Sequence, residues 1–376
     1  MADFAIVAPD PGFGGGGRAL TEALWHAVEG LRRHPELHFL RIPRLPSSDD
    51  DPVFSGARVV RSPLPFPDLV SYKLWLTAPR IADRLRKARV CFVCAPVASY
   101  GYGAALARLP YGCWIATGSA VEWASRRQGL DHLRRAAHEL TSPLERKLER
   151  ETLRRAGVLW AISPAARHAV AEVAGIPEER VRVVRIPVDT RHFSPVTDDE
   201  WERRFEQQRL VFVGRATDPR KNVALLLDAF ARLRSRVPGV RLTLVGAPPS
   251  QPVPDGVDVL GEVPSVAEPL RRAALFVLPS LQEGFGLVAA EALASGVPAV
   301  VTPSGGPEEL IRESGGGEVL SGFDADELAD RIETLLSDGD RLAEMRRRGR
   351  AYVVEAHDPA RLRDALRAAL EELGGG

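Results

Sequence analysis

Apolar residues along this chain cluster in short runs, each followed by a loop and then by a longer stretch with helical spacing of its apolar positions. In the first half the runs predict strands near 3–8, 37–42, 89–95, 112–117, 158–162 and 181–185. Helices are expected near 18–32, 76–88, 143–155 and 164–173. The stretch "RIPRLPSSDDDPVFSGARVVRSPLPFPD" is rich in Pro, Ser and Asp and reads as one long irregular loop, a kind that often carries function. "IPVDTRHFSPVTDDE" (186–200) reads as a linker, after which the alternation restarts. Strands are expected near 209–214, 240–245, 257–260, 274–279 and 298–302, and helices near 221–236, 265–272, 286–296 and 324–337. "HDPARLRDALRAALEEL" (357–373) makes a final amphipathic helix. Strand, loop and helix in repetition argue for an α/β chain with parallel sheets, folded as two doubly wound domains of similar size.

A length of 376 residues fits two or three domains, each large enough to bury its own core. No run approaches the ~20 apolar residues of a transmembrane helix. The N-terminus has Asp3 and no basic segment before its apolar run, so it does not read as a secretory signal, and a cytoplasmic location is expected. Cys91 and Cys94 lie three apart in a strand, on opposite faces, which is a poor metal or redox pair; with Cys113 they read as small core residues. Net charge is zero, but residues 1–192 hold 28 Lys+Arg against 20 Asp+Glu, and residues 193–376 hold 22 against 30. A basic half joined to an acidic half is expected to meet different partners.

"PGFGGGGRAL" (11–20) contains Gly12-x-Gly14-x-x-Gly17 between a strand and a helix, the pattern of a dinucleotide fingerprint. Two features weaken that reading. Asp10 and Pro11 separate the strand from the first glycine, and no acidic residue ends the second strand, where Arg41 and Arg44 stand.

Chemistry concentrates in the second half. Ligands of an open parallel sheet bind outside the carboxyl ends of its strands, and nearly every strand there ends on a special residue: Gly214-Arg215, Gly246, Gly261, Pro279-Ser280, and Thr302 through Gly306. In "GRATDPRKN", Arg215 ends a strand and Lys221 stands at the start of the next helix. Two fixed cations beside a helix N-terminus suit a diphosphate. In "LPSLQEGFGLVAAEALASGVPAVVTP", Glu283 lies in a Gly-flanked loop and Glu291 eight residues later in a helix. On a single helix the two would point about 80° apart. With Glu283 in the loop, both can face one crevice, and the N–H groups of Gly286, Leu287 and Val288 between them offer a phosphate site. An ionised Glu accepts hydrogen bonds and donates none, which suits the hydroxyls of sugar and ribose.

These stretches, with "FVGRATDPRKNVALLLDAF", the E-x7-E spacing and "GGPEEL", resemble the retaining glycosyltransferases of family 4. The resemblance runs over almost the whole chain. It implies the GT-B fold: two Rossmann-like domains facing a central cleft, residues 1–190 binding the acceptor and 191–357 the nucleotide-sugar donor, with a C-terminal helix (about 358–376) crossing back to the first domain. By the same resemblance Arg215 and Lys221 are ligands of the donor diphosphate, Glu283 meets the donor sugar hydroxyls and Glu291 the ribose. Gly214, Gly286, Leu287 and Val288 complete the donor site, and Val263 holds the base through its main chain. Gly15 and Gly16 would offer backbone N–H groups from the first domain, in a Gly-rich loop able to move as the domains close.

The loop Thr117, Gly118, Ser119 falls on the acceptor side, where many relatives carry a His that this chain lacks. The implied reaction moves a sugar from a nucleotide diphosphate to an acceptor hydroxyl with retention. Arg215, Lys221 and the helix N-terminus at 286–288 would stabilise the leaving diphosphate. No cofactor and no metal are expected. A sugar-nucleotide epimerase or phosphorylase of the same fold, or a nucleotide-sugar-binding subunit without turnover, remain alternatives. The acceptor is a carbohydrate, a lipid-linked molecule or a small molecule, and nucleic acid is not expected as a partner. The segment 126–157 holds nine Lys+Arg against five Asp+Glu, either a peripheral contact with anionic membrane or a solvated face. His132 and His138 within it are candidates for acceptor contact, with surface histidines as the alternative.

Overall fold

The computed structural model describes residues 4–9, 15–41, 53–54, 58–61, 70–126 and 132–374. The chain divides into two compact units, Met1–Pro187 with Pro359–Gly376, and Val188–Asp358. The first unit runs β1 (Phe4–Pro9), α1 (Gly15–Gly30), β2 (Pro35–Arg41), β3 (Arg58–Arg61), α2 (Val70–Leu85), β4 (Val90–Ala95), α3 (Tyr102–Ala107), β5 (Tyr111–Ile115), α4 (Ser119–Arg126), α5 (His132–Arg155), β6 (Val158–Ala161), α6 (Pro164–Ala174) and β7 (Arg182–Val183). Its strands pair in parallel in the order β3-β2-β1-β4-β5-β6-β7.

The second unit runs α7 (Asp198–Glu206), β8 (Arg209–Val213), α8 (Val223–Arg236), β9 (Arg241–Val245), β10 (Val257–Gly261), α9 (Ala267–Arg271), β11 (Leu275–Leu278), α10 (Leu287–Ala294), β12 (Ala299–Val301), α11 (Gly306–Ser314), β13 (Gly317–Val319), α12 (Ala325–Leu336) and α13 (Gly339–Ala356), before α14 (Pro359–Glu372) returns to the first unit. Its strands pair in parallel in the order β10-β9-β8-β11-β12-β13. Each sheet therefore reverses its strand order once, between β1 and β4 and between β8 and β11. A crevice opens at such switch points, outside the carboxyl ends of the strands.

Strands covered by helices on both faces need apolar residues throughout rather than in alternation. Both β1 and β4 are buried along their whole length. In the middle of the first sheet Phe92 stands opposite Gly112, and a Cβ there would lie 2.4 Å from the Phe92 ring. The space that Gly112 leaves lets Phe92 pack against Trp160, with ring centroids 4.8 Å apart.

Helix α14 is held to the first unit by its apolar stripe. Leu362, Leu366, Ala369 and Leu370 are buried, at the spacing of one helix face. Leu373 fills the space beside Gly157, Arg363 lies against Gly30, and Arg182 pairs with Glu372 at 3.0 Å. At the two chain crossings, the Val188 N–H donates to the carbonyl of His357 at 3.0 Å.

Several elements differ from the sequence reading. Strand β3 lies inside the stretch read as one irregular loop, and β13 was expected as neither strand nor helix. Each is the outermost strand of its sheet, where one side lacks a neighbour and a long apolar run is not required. Helix α5 begins at His132 rather than near 143, with Pro143 inside it. Residues 11–14 of the glycine-rich loop lie outside the described residues. Gly15, Gly16 and Gly17, expected in a movable loop, form the first turn of α1, and Gly17 lies against Pro9 and Pro96 at the ends of β1 and β4.

Candidate functional site

The switch point of the second unit lies between β8 and β11, and the loops leaving these strands carry most of the residues singled out from the sequence. After β8, Gly214 joins the strand ends: its N–H donates to Val245, and the N–H of Gly246 to Gly261, both at 2.8 Å. A Cβ on Gly246 would lie 2.3 Å from the Gly214 carbonyl oxygen, and its φ of +112° also favours glycine. Asp218 then caps a 3-10 turn, Pro219–Lys221, by accepting from the Arg220 N–H at 3.0 Å. Burial raises the pKa of Asp218. The bidentate Arg220 guanidinium, at 2.8 and 3.1 Å, with Arg215 adding its charge, outweighs this and holds the carboxyl below its ordinary range.

Lys221 was expected at the start of a helix. It ends the 3-10 turn instead, and α8 begins only at Val223, after Asn222 in the left-handed region. The Lys221 ammonium pairs with Oε1 of Glu283, which also accepts from the Ser280 hydroxyl at 2.8 Å. Arg215 is more open, its side chain 58% exposed and 3.7 Å from Asp218. An ammonium has three donors and a carboxylate about four acceptor sites. The Lys221–Glu283 pair thus keeps donors for phosphate oxygens on one side and acceptors for hydroxyls on the other.

Glu283 sits in a backbone bridge, as expected outside a helix. Its N–H donates to Ser304 at 2.8 Å, and its carbonyl accepts from Gly306 at 3.2 Å. The Leu281 N–H donates to the Arg220 carbonyl at 2.7 Å, so the loops after β8, β11 and β12 form one network. Gly286 caps α10 with φ +74°, and a Cβ on it would lie 2.4 Å from Pro307. No side chain caps α10 and no acidic residue occupies its first turn. Its leading N–H groups, those of Leu287 and Val288 among them, have no intrahelical partner.

Glu291, one turn further along α10, is half-buried. It makes no side-chain hydrogen bond or ion pair among the described residues. Burial pushes its pKa up to about 7. A carboxylate in that setting is completed by hydroxyl donors. Val263 follows β10 and is half-buried, and its N–H and C=O make no backbone hydrogen bond among the described residues.

In the first unit, Gly15 and Gly16 open α1 beyond β1, next to the switch point. Thr117, Gly118 and Ser119 follow β5. The Thr117 N–H donates to Pro96 at 2.8 Å, while Gly118 packs on Val173 and Ala169. Ser119 begins α4 and is fixed by Glu149 of α5, which accepts from its N–H at 3.2 Å and its hydroxyl at 2.5 Å. Glu149 also accepts from the Ala98 N–H, beyond β4. Burial pushes its pKa up to about 7 despite these bonds. Glu149 is absent from the sequence reading. It lies in a charged helix with no motif, and only the fold brings it to two strand ends. Ser280 and Asp218 likewise gain their roles from contacts. The Asp-Pro pair at 218–219 is the one local signal, a turn opener.

Among the described residues no group of three or more His, Cys, Asp or Glu is placed to hold a metal. No helix among them is long and apolar enough to cross a membrane. Cys91, Cys94 and Cys113 are free and buried.

Both halves match known families. The profile described as Glycosyltransferase Family 4 matches residues 14–192, and that described as Glycosyl transferases group 1 matches residues 207–338. A D-inositol 3-phosphate glycosyltransferase of Nocardia farcinica is 29% identical over 269 residues, 64% of this chain and 59% of that protein. A GDP-mannose-dependent alpha-(1-6)-phosphatidylinositol monomannoside mannosyltransferase of Mycobacterium tuberculosis is 31% identical over 54% of this chain and 60% of its own length. These matches span about three fifths of each relative. Among solved structures, Anabaena HepE in complex with UDP has a TM-score of 0.74 at 17% identity, covering 99% of this chain and 100% of HepE. Sucrose-phosphate synthase of Thermosynechococcus elongatus has a TM-score of 0.76 at 19% identity, covering 100% and 99%. The similarity to both solved structures is one of fold. With its two doubly wound units, its returning C-terminal helix and a family match in each half, the chain belongs to glycosyltransferase family 4, of the GT-B fold.

Proposed function

We propose that this protein is a glycosyltransferase that moves a sugar from a nucleotide-diphosphate donor to an acceptor hydroxyl, with retention at the anomeric carbon. The observation that carries this reading is the juxtaposition of Lys221, Glu283 and the uncapped start of α10 at one switch point. The bond from the anomeric carbon to the diphosphate oxygen breaks and its electron pair leaves with the diphosphate. Arg215, Lys221 and the N–H groups of Leu287 and Val288 stabilise that charge as it develops. The acceptor oxygen bonds to the anomeric carbon, and its proton passes to the departing phosphate. Glu283 holds the donor sugar hydroxyls, Glu291 the ribose, and Val263 the base through its main chain. The second unit takes the donor and the first the acceptor. No metal is needed, since fixed cations supply the charge.

The relatives' names support this reading: they describe glycosyl transfer to inositol-based acceptors, and HepE was solved with UDP. The test is proton NMR of a nucleotide-sugar donor incubated with an acceptor panel. The reading expects a glycoside with the donor's anomeric configuration. An inverted product, or a donor sugar epimerised without any acceptor, contradicts it.

A further inference from the structure

The loop that leaves β10 is short and is held at both ends. At one end the Gly261 carbonyl accepts from the Gly246 N–H at 2.8 Å, which ties it to the end of β9. In the middle stands Val263, which Pro264 biases toward extended backbone. The N–H and C=O of Val263 make no backbone hydrogen bond among the described residues. At the other end the Ser265 hydroxyl accepts from the Ala267 N–H at 3.2 Å. The same oxygen lies 2.7 Å from Nε2 of His192, a residue 73 positions earlier in the chain.

His192 belongs to the stretch that reads from the sequence as a linker (186–200), but from Val188 onward that stretch is part of the second unit. Oδ1 of Asp189 accepts from the N–H groups of Arg191 at 3.0 Å and His192 at 3.1 Å and closes a turn. The Arg350 guanidinium, from α13, donates to the carbonyls of Thr190 at 2.9 Å, Phe193 at 2.7 Å and Ala294 at 2.6 Å. The turn is thereby bound to the last residue of α10, the helix whose start lies beside Glu283. The His192 ring meets the Phe193 ring edge to face, with centroids 4.9 Å apart. A fixed backbone turn and a ring contact thus hold an exposed imidazole against Ser265. The link forms in either charge state of the ring: the Ser265 O–H can donate to a neutral Nε2, and a protonated ring can donate to the Ser265 oxygen.

A main-chain donor and acceptor bind a base more tightly when their loop is held in place before the ligand arrives. Val263 has no backbone bond of its own to hold it; the loop's anchors are Gly246 on one side, and His192 with the Ala267 N–H on the other. We propose that His192 is a positioning residue for nucleobase recognition: through Ser265 it holds the main chain of Val263 where the edge of the base can bond to it. The proposal rests on the donor reading, which puts the base at Val263. His192 stands in no motif, and only the fold brings it to the loop after β10.

Calorimetric titration of the full chain with UDP, GDP and ADP identifies the nucleotide that binds best. His192→Phe keeps a ring against Phe193 and removes its nitrogens. It should weaken binding of that nucleotide about 3- to 10-fold, the scale of one hydrogen bond. Ser265→Ala should weaken it by at least as much. His192→Gln, whose amide can reach the same hydroxyl, should recover most of the loss. The two losses should not add, so that the double variant binds as Ser265→Ala does. Inorganic pyrophosphate, measured by its displacement of the bound nucleotide, should keep its affinity in His192→Phe, because it carries no base. Unchanged nucleotide affinity in His192→Phe, additive losses in the double variant, or an equal loss for pyrophosphate overturns the proposal and leaves the donor reading standing. If none of the three nucleotides binds the wild type, the donor reading fails, and the role of His192 fails with it.

Discussion

At the end of β8 a lysine and a glutamate meet as partly exposed charges, Lys221 against Glu283, with side chains 21% and 16% exposed. At the ends of β4 and β5 the carboxyl of Glu149, from α5, is buried and spends its bonds on the protein's own Ser119 and Ala98. Both sheets are doubly wound and parallel, and both reverse between neighbouring strands. One switch point holds fixed charges ready for a highly charged ligand. The first unit uses a buried carboxyl to fix the loops after β4 and β5. The difference is between side chains that keep bonding capacity to spare and one whose bonds are taken up by the protein itself.

That contrast is open to test, and the largest effect is expected at Lys221. Lys221→Ala should lower kcat about 10²- to 10³-fold, the usual scale for one preorganised donor to a developing anion. Turnover equal to wild type would remove the clamp from the account.

The next effect belongs to Glu149. Its folded pKa of about 7 lies above the ordinary value of 4.5, so the folded chain keeps a proton that the unfolded chain loses between these values. The associated stability is fully present below pH 4.5 and is lost as pH rises through about 7, amounting to about 3 kcal/mol. Glu291 adds a loss of the same sign. Glu149→Gln should therefore show a Tm that falls less than the wild type's between pH 4.5 and 7.5. Parallel melting curves would mean that Glu149 is not held in its protonated form.

A smaller effect is expected at Asp218, which shapes the turn that ends on Lys221. Asp218→Ala removes a cap worth about 1 kcal/mol. It should lower kcat about fivefold to tenfold while leaving global stability within that margin. An effect as large as that of Lys221→Ala would assign Asp218 a direct part.

Much of this contrast was legible in the sequence, and the rest has identifiable physical reasons. Central strands such as β4, β5 and β8 announce themselves because burial on both faces demands continuous apolar runs. The edge strands β3 and β13 lack that demand and pass for loop. Arg215, Lys221, Glu283 and Glu291 could be picked out because cations and carboxylates close to glycine turns at strand ends are residue types that a diphosphate-binding edge would need. Their pairing could not: Lys221 and Glu283 are 62 residues apart and meet through the sheet's parallel order. Glu149 sits in a helix whose charges read as a solvated or membrane-facing surface. Only its bonds to Ser119 and Ala98, formed in the fold, separate this carboxyl from the rest. Gly15 and Gly16 were read as loop because a run of glycines disfavours helix, yet the first turn of α1 forms there, close against Pro9 and Pro96.

The central claim is that the end of β8, the loop after β11 and the start of α10 together bind a nucleoside diphosphate. Calorimetric titration of the wild type and Glu291→Gln with UDP, GDP and ADP tests it most directly. The account predicts that at least one of the three binds the wild type, and that the variant, having lost a carboxylate partner for the ribose hydroxyls, binds it about tenfold or more weakly. Absence of binding by all three, or an unchanged affinity in the variant, would contradict it.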